Sequence, residues 1–523
     1  MNEPNGPQGV RAQSEDPVLG VAPEILARYN ARILDPADAA KVGDQGRLRS
    51  TVYTADKVLV SGVAGESARG SLDAIANRLH FRLEPPAGHA ERRARLVAHA
   101  QDAGHADADS LFATVHRITP LDGQVETPDA WQILQTYRAD VGLGTLDANH
   151  VGLNHLMFAN PYVHGSPYVH GSPYVHGSGE PSAEYAIAGL GGLAPVNWVG
   201  HRPTRQLKVN GRRPLVAVLD TGVGQHPWLT KDVVRRGIKV GTVPLGVLGA
   251  GADSDIDDGV VDPIQGELGA EVGHGTFVAG LIHQLCPDAD ILSIRVMNSD
   301  GVAEEHVVLE ALNALAAQQE AAQRDGDASG MVDVVSLSLG YYHEQPIDSA
   351  YDLLLLEPIL RLARGGTTVV VAAGNDSTSR PMYPAAFAPH PGGVITQPEH
   401  DCVPVVSVGA LNPDETTAMF SNDGDWVTMK CPGAALVSTF PTNVNGPAQP
   451  SFLWGDRSTL DTDNFVSGFA TWSGTSFAAP ILAGRIAEHL MSGTCGSMDS
   501  ADPSTCLDRG WAAFTAATEV CRP

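Results

Sequence analysis

The chain has 523 residues, 43% of them hydrophobic, which is enough apolar material for at least one large core and a length that points to two or more domains. A formal net charge of −26 excludes a protein built to hold a nucleic-acid backbone and favours basic peptides or cations as partners. No apolar run is long enough to span a membrane. The opening Met1-Asn2-Glu3-Pro4-Asn5-Gly6-Pro7 lacks the charged-then-apolar pattern of an export signal, so the expectation is a cytoplasmic protein with reduced thiols. Three of the six cysteines (Cys495, Cys506, Cys521) fall in the last 30 residues, which leaves a disulfide-tied tail open.

Residues 1–22 are rich in Pro, Gly and charge and read as an arm. From Pro23 to Ile33 the apolar spacing predicts a short helix. Strands over 52–60, 80–83 and 111–118 then alternate with helices over 68–79, 91–101 and 128–139, the last beginning after Thr127 as N-cap. Residues 23–150 thus read as a small α+β domain with no catalytic constellation. Residues 151–194 read as a linker containing Pro-Tyr-Val-His-Gly-Ser three times over, at 161–178. Each copy has only one Tyr and one Val to bury, too little for a solenoid. The glycine cluster at 189–192 follows no strong strand, so it continues the linker and is not a nucleotide loop.

From Pro195 onward the pattern changes to apolar strands alternating with helices, which predicts a parallel, doubly wound α/β sheet. The strand Val216-Ala217-Val218-Leu219 delivers Asp220 to its C-terminal end, where open α/β sheets carry their sites. Between Asp220 and the next motif lies an acidic run in which Asp253, Asp255 and Asp257 could converge on one hard cation. His274, between two glycines, opens a helix of small residues. Strands over 291–297 and 332–340, helices over 304–324 and 350–363, and the strand Val369–Ala373 ending at Gly374-Asn375 follow. Further strands cover 403–410, 426–433 and 436–440. A polar and aromatic insertion fills 441–470. Last come Ser473-Gly474-Thr475-Ser476 and an apolar helical pattern, which set Ser476 at a helix N-terminus; residues 494–523 read as a cysteine-containing tail. A serine hydroxyl is a weak nucleophile alone and needs a base and an orienting carboxylate. Asp220, His274 and Ser476 supply that set, while backbone N–H groups at the helix start favour developing negative charge.

In that order, and with those neighbours, the three motifs resemble the subtilisin-like serine proteases, over roughly residues 214–493. The resemblance implies the subtilisin-like doubly wound fold and a serine endopeptidase that hydrolyses polypeptides through an acyl-enzyme. It makes Asp220, His274 and Ser476 the triad and Asn375 the side-chain donor to the oxyanion. It further implies that Ser338, Leu339 and Gly340 pair with extended substrate, that Ala373 and Gly374 line the cleft, and that Met382 lies beneath the primary specificity pocket. Met382 is apolar, so the expected residue before the cut is apolar or aromatic. No cofactor is required, and calcium, which members of the family often bind, is a candidate ligand of the Asp253, Asp255 and Asp257 run. A compact propeptide that inhibits the enzyme precedes the catalytic domain in secreted members, and the N-terminal domain is similar in element order, which makes it a candidate intramolecular inhibitor, with self-cleavage somewhere in 140–200. Two other readings stay open on the same residues: a catalytically silent binding protein of this shape, and an acyl-transfer enzyme such as a peptide ligase or esterase.

Overall fold

The computed structural model describes residues 19–41, 48–63, 66–123, 125, 127–142, 150–159, 185, 191–247, 260–262, 267–345, 354–397, 400–518 and 521–522. The PYVHGS repeats and the acidic run at 253–257 lie outside them. The N-terminal part contains α1 (Pro23–Arg28), β1 (Ala31–Ile33), β2 (Val52–Val60), α2 (Glu66–Arg78), β3 (Phe81–Glu84), α3 (His89–Asp102), β4 (Thr114–Pro120), α4 (Ala130–Val141) and β5 (Val151–Phe158). The helix expected to reach Ile33 stops at Arg28. Asn30 turns in the left-handed region (φ 47°), and the chain then pairs Ala31 with Thr54 of β2. The cap of α4 is Asp129, whose carboxylate accepts from the Trp131 N–H, and not Thr127.

The larger correction concerns residues 151–158, placed in the linker by their sequence. They form β5, buried along its whole length and paired with β2. Val151, Leu153, Leu156, Met157 and Phe158 are apolar on both faces of the strand, so the alternation that signals a half-buried strand is missing. Helices α2 and α4 cover one face of this sheet, with Leu72, Ile75, Trp131, Leu134 and Tyr137 packed on Val58, Val60 and Leu153.

The second part contains β6 (Ala194–Pro195), β7 (Leu215–Asp220), β8 (Val234–Arg235), β9 (Lys239–Val240), β10 (Val243–Pro244), β11 (Val260–Asp262) and β12 (Glu267–Leu268). It continues through α5 (His274–Leu285), β13 (Asp290–Arg295), β14 (Val302–Glu304), α6 (Glu305–Asp325), β15 (Val334–Leu337), α7 (Leu356–Arg364), β16 (Thr368–Ala372), β17 (Val405–Leu411), β18 (Met429–Pro432) and β19 (Leu436–Thr439). The hairpin of β20 (Leu453–Trp454) and β21 (Arg457–Ser458), then β22 (Phe469–Trp472), α8 (Thr475–Met491) and α9 (Pro503–Ala517), complete the chain. Seven strands form one sheet in the order β18-β17-β16-β15-β7-β13-β8, every pair parallel. Successive residues of β7 serve opposite faces. Val216 and Val218 pack with α5 and α8, while Ala217 and Leu219 pack with α6 and α7. That two-sided burial is why these strands read as continuous apolar runs.

The two parts share a sheet. β14, just before α6, pairs antiparallel with β5 and extends the N-terminal sheet to six strands. The tail expected over 494–523 is also built in: α9, capped by Asp502 accepting from the Thr505 N–H, carries Ala513 and Ala517 into the core beneath α8. Beyond α9, Arg522 pairs with Lys430, and Cys521 is disulfide-bonded to Cys431 of β18. The expectation of uniformly reduced thiols is therefore corrected. The sequence motif Cys431-Pro432-Gly433 gives no sign of a partner 90 residues away. Cys286, Cys402, Cys495 and Cys506 are free and buried. No helix among the described residues is long and apolar enough to cross a membrane.

Candidate active site

Asp220 ends β7 in the middle of the sheet and is 1% exposed. Its Oδ1 accepts from the Thr221 N–H at 2.7 Å and lies 2.7 Å from Nδ1 of His274. His274 is the first residue of α5. Gly273 before it takes φ 84°, a left-handed conformation that lets the chain turn sharply into the helix, and a Cβ there would strike the Phe440 ring. The imidazole is held on its other sides by aromatic rings, Trp472 edge-on at 5.7 Å and Phe477 tilted at 5.1 Å. Thr221 adds a second tie between the two motifs, its Oγ1 accepting from the Gly275 N–H.

Ser476 lies in the first turn of α8, as its sequence context implies, and is 2% exposed. The start of that helix is locked to the sheet by three contacts. Asn375 Oδ1 accepts from the Thr475 N–H at 2.9 Å, Thr475 Oγ1 accepts from the Gly374 N–H at 3.0 Å, and Ser338 Oγ donates to the Ser476 carbonyl at 2.8 Å. The structure thus brings together Asp220 with His274, and Ser476 with Asn375, Gly374 and Ser338. Because its oxygen is committed to Thr475, the Asn375 amide group presents its nitrogen away from that N–H.

The cleft holds a segment of the chain itself. Phe158, at the end of β5, exchanges both backbone hydrogen bonds with Gly340 (2.8 and 3.0 Å). The next residue, Ala159, donates its N–H to the Gly301 carbonyl at 2.9 Å and accepts from Ser476 Oγ at 2.7 Å. An extended strand is therefore added between Gly340 on one side and Gly301 on the other, ending at the serine. Leu339 is fully buried and faces the core, not the cleft. Ala373 is buried too, its carbonyl accepting from Asn422 Nδ2. Met382 is 1% exposed and fills the space beside both Gly340 and Gly374, where added Cβ atoms would meet its Cε at 2.3 Å and its Sδ at 2.4 Å.

The strand carries a charged lock. His155 of β5, with no exposed surface, has Nδ1 2.7 Å from Glu305 and Nε2 3.1 Å from Glu344; Arg138 reaches the other Glu344 oxygen at 3.5 Å. Burial alone would lower the pKa of His155, but the two carboxylates outweigh it and raise it to about 10. Around it, Asn154 and Lys57 bind Glu304, and Arg92 binds Glu310. A further buried acid, Glu271, stands three residues before His274. Burial raises its pKa to about 7, with Asp220 adding to the effect and His274 opposing it.

Sequence reasoning missed several of these groups. Thr221 and Thr475 sit inside the quoted motifs as small hydroxyls that bond across to the partner motif, so their neighbours gave a signal. Asn422, whose Oδ1 accepts from the Asp376 N–H and whose Nδ2 holds Ala373, and Glu271 carry none. The candidate calcium ligands Asp253, Asp255 and Asp257 lie outside the described residues. Among the described residues, no group of three His, Cys, Asp or Glu side chains is placed to hold a metal ion.

Known proteins resemble the second part of the chain. Residues 211–493 match the model of the Subtilase family, Peptidase_S8. The chain is similar to an intracellular serine protease of Paenibacillus polymyxa, 28% identical over 54% of this chain and 67% of that protein. It is 26% identical to a cuticle-degrading serine protease of Arthrobotrys oligospora, over 45% of each chain. It is 27% identical to subtilisin BL of Lederbergia lenta, over 52% of this chain and 74% of that one. The chain spans less than half the length of the second of these relatives. The family match takes in more than half of the residues, from before Asp220 to beyond Ser476, and so the chain belongs to the Subtilase family, the subtilisin-like serine endopeptidases.

Proposed function

We propose that this protein hydrolyses peptide bonds with Ser476 as nucleophile and that its N-terminal part occupies the cleft as an intramolecular inhibitor. The observation that carries the reading is the strand ending at Ala159, whose carbonyl is 2.7 Å from Ser476 Oγ, beside a buried Asp220–His274 pair. In this reading His274 takes the Ser476 proton as Oγ attacks the carbonyl carbon of the substrate, and returns it to the leaving amine. Asp220 fixes the tautomer of His274 and stabilises the imidazolium. The Asn375 amide and the Ser476 N–H receive the oxyanion; loss of one such donor typically costs on the order of 10²–10³ in kcat. Water then hydrolyses the acyl-enzyme.

The substrate would add as a strand along Gly340, taking main-chain hydrogen bonds such as those of Phe158. Met382 fills the space beside Gly340 and Gly374, so we read the pocket on that side of the strand as apolar, suited to an apolar or aromatic side chain. The polar contacts of His155, Asn154 and Arg138 support a docked N-terminal part, and self-cleavage within a residue of Ala159 belongs to the same reading, supported by the contact of its carbonyl with Ser476. Calcium at Asp253, Asp255 and Asp257 remains part of this reading as a stabilising ligand, which melting with and without a chelator tests.

Intact-mass analysis of wild type and Ser476→Ala, with and without a fluorophosphonate probe, tests the nucleophile. Wild type should gain the probe mass and the variant should not. A wild-type chain that never reacts, even after its N-terminal part is removed by limited proteolysis, would defeat the proposal. Product analysis on peptides separates hydrolysis from ligation.

A further inference from the structure

Glu271 is a buried acid that the reaction described above does not use. Its backbone is fully engaged, the N–H donating to the Ser299 carbonyl and the carbonyl accepting from the His274 N–H. The residue is 9% exposed, and Oε2 is buried with no hydrogen-bond partner among the described residues. It does not cap α5, whose N-cap is Gly273 without any side-chain hydrogen bond. His274, which acts on it electrostatically, has its Nδ1 2.7 Å from Asp220. An acid held out of water without a partner is costly unless something supplies the missing charge.

Gly301 shows what lies in front of it. A Cβ added to Gly301 would fall 2.4 Å from Cγ of Glu271 and 3.7 Å from Cβ of Ala159. The Ala159 methyl group and the Glu271 stem therefore border the same space, the one a side chain on Gly301 would fill. Gly301 also accepts from the Ala159 N–H, so any residue bound in this register presents its side chain at the same point. Alanine is too short to reach the carboxylate.

We propose that Glu271 selects substrates with lysine or arginine at the position Ala159 occupies. The inference rests on the protease reading and adds a substrate class to it. A long cationic side chain would pass the open face of Gly301 and make charge-assisted hydrogen bonds with Glu271, while its apolar stem stays in the cleft. The net charge of −26 draws basic peptides toward the same cleft. The chain's own strand, with a methyl group there, binds without the contact a preferred substrate makes, so such a substrate can take its place.

The test uses active full-length preparations of wild type and Glu271→Gln, titrated with a fluorophosphonate probe. Each is given peptides that vary singly, Lys, Arg, Ala, Leu or Glu, at the two residues before the cut, which mass spectrometry locates. The expected result is a ratio of kcat/KM for Lys or Arg over Ala of at least about tenfold at one of those positions in wild type, with that ratio falling to about one in Glu271→Gln whatever the absolute rates. Glu271→Asp should restore part of it. An identical profile in wild type and Glu271→Gln overturns the inference, and so does a wild type that favours neutral residues at both positions, which needs no variant to fold. If Ser476 takes no probe and no peptide is cut, the protease reading itself fails, a result distinct from labelled enzyme with a flat profile.

Discussion

The Ser476 hydroxyl donates to the carbonyl of Ala159 at 2.7 Å, so the proposed nucleophile is engaged by the protein's own backbone. Wild type should therefore shorten on incubation, with a new terminus within a residue of Ala159, while Ser476→Ala stays at full mass. Intact-mass spectra over time check both. A stable full-length wild type with undiminished peptidase activity would show that the strand leaves the cleft without being cut.

Asn375→Leu removes the proposed oxyanion amide and also the acceptor for the Thr475 N–H. The expected outcome is a fall in kcat on the order of 10²–10³ with a much smaller change in KM. Steady-state kinetics on one peptide decides it. Melting of the same variant separates loss of chemistry from loss of the start of α8.

Removing the charge at His155 leaves Glu305 and Glu344 buried without their shared cation. Breaking such a pair costs about 3–5 kcal/mol, so His155→Gln should undock the N-terminal part and speed activation. The pH dependence has two limbs. The pKa of His155 is raised from 6.5 to about 10, so its contribution is complete below about pH 6.5 and disappears as pH rises toward 10. Burial pushes Glu344 upward, but His343, His155 and Arg138 hold it well below its ordinary value, so its contribution is present above about pH 4.5 and is lost in stronger acid. Docking should be tightest between those limits, measured as the probe-labelling rate of Ser476 against pH.

Glu271 has the opposite sign. Its pKa is raised from 4.5 to about 7 by burial, so the folded state holds a proton that the unfolded chain releases, and stability falls as pH rises from about 4.5 to 7. Glu271→Gln should then melt higher than wild type at pH 8, by the equivalent of about 3 kcal/mol. The two should converge near pH 4. Thermal melts at the two pH values check it.

The disulfide between Cys431 and Cys521 closes a segment with a sequence separation of 90 residues. Cys521→Ser should cost about 2–5 kcal/mol and loosen the end of the chain beyond α9 before the rest unfolds. Hydrogen exchange at Lys430 and Arg522, which pair beside it, reads that local loss.

Much of the catalytic half was legible because its chemistry sits in short motifs and its strands are buried on both faces. Asp220, His274 and Ser476 stand at strand or helix ends that glycines mark, and the parallel sheet runs as apolar stretches. The N-terminal half was legible as alternating elements but not as a partner. β5 hid because its residues face apolar neighbours on both sides and precede a repetitive segment. His155, Glu305 and Glu344 are 39 to 189 residues apart along the chain, with His155 and Glu344 separated by 189, so no local pattern joins them. Glu271 resembled any loop acid, and only its burial beside Gly301 distinguishes it.

The pairing of β14 with β5 gives the proposed removal of the N-terminal part a further consequence. Val302, Ala303 and Glu304 would then be a strand without its partner, with unsatisfied N–H and C=O groups, directly ahead of α6. Such a strand is a template for whatever extended chain arrives next, whether a substrate lengthened on its N-terminal side or the corresponding strand of another molecule. Its amides should pass from slow to fast exchange on maturation, and the newly released enzyme should be most prone to self-association when peptide is scarce.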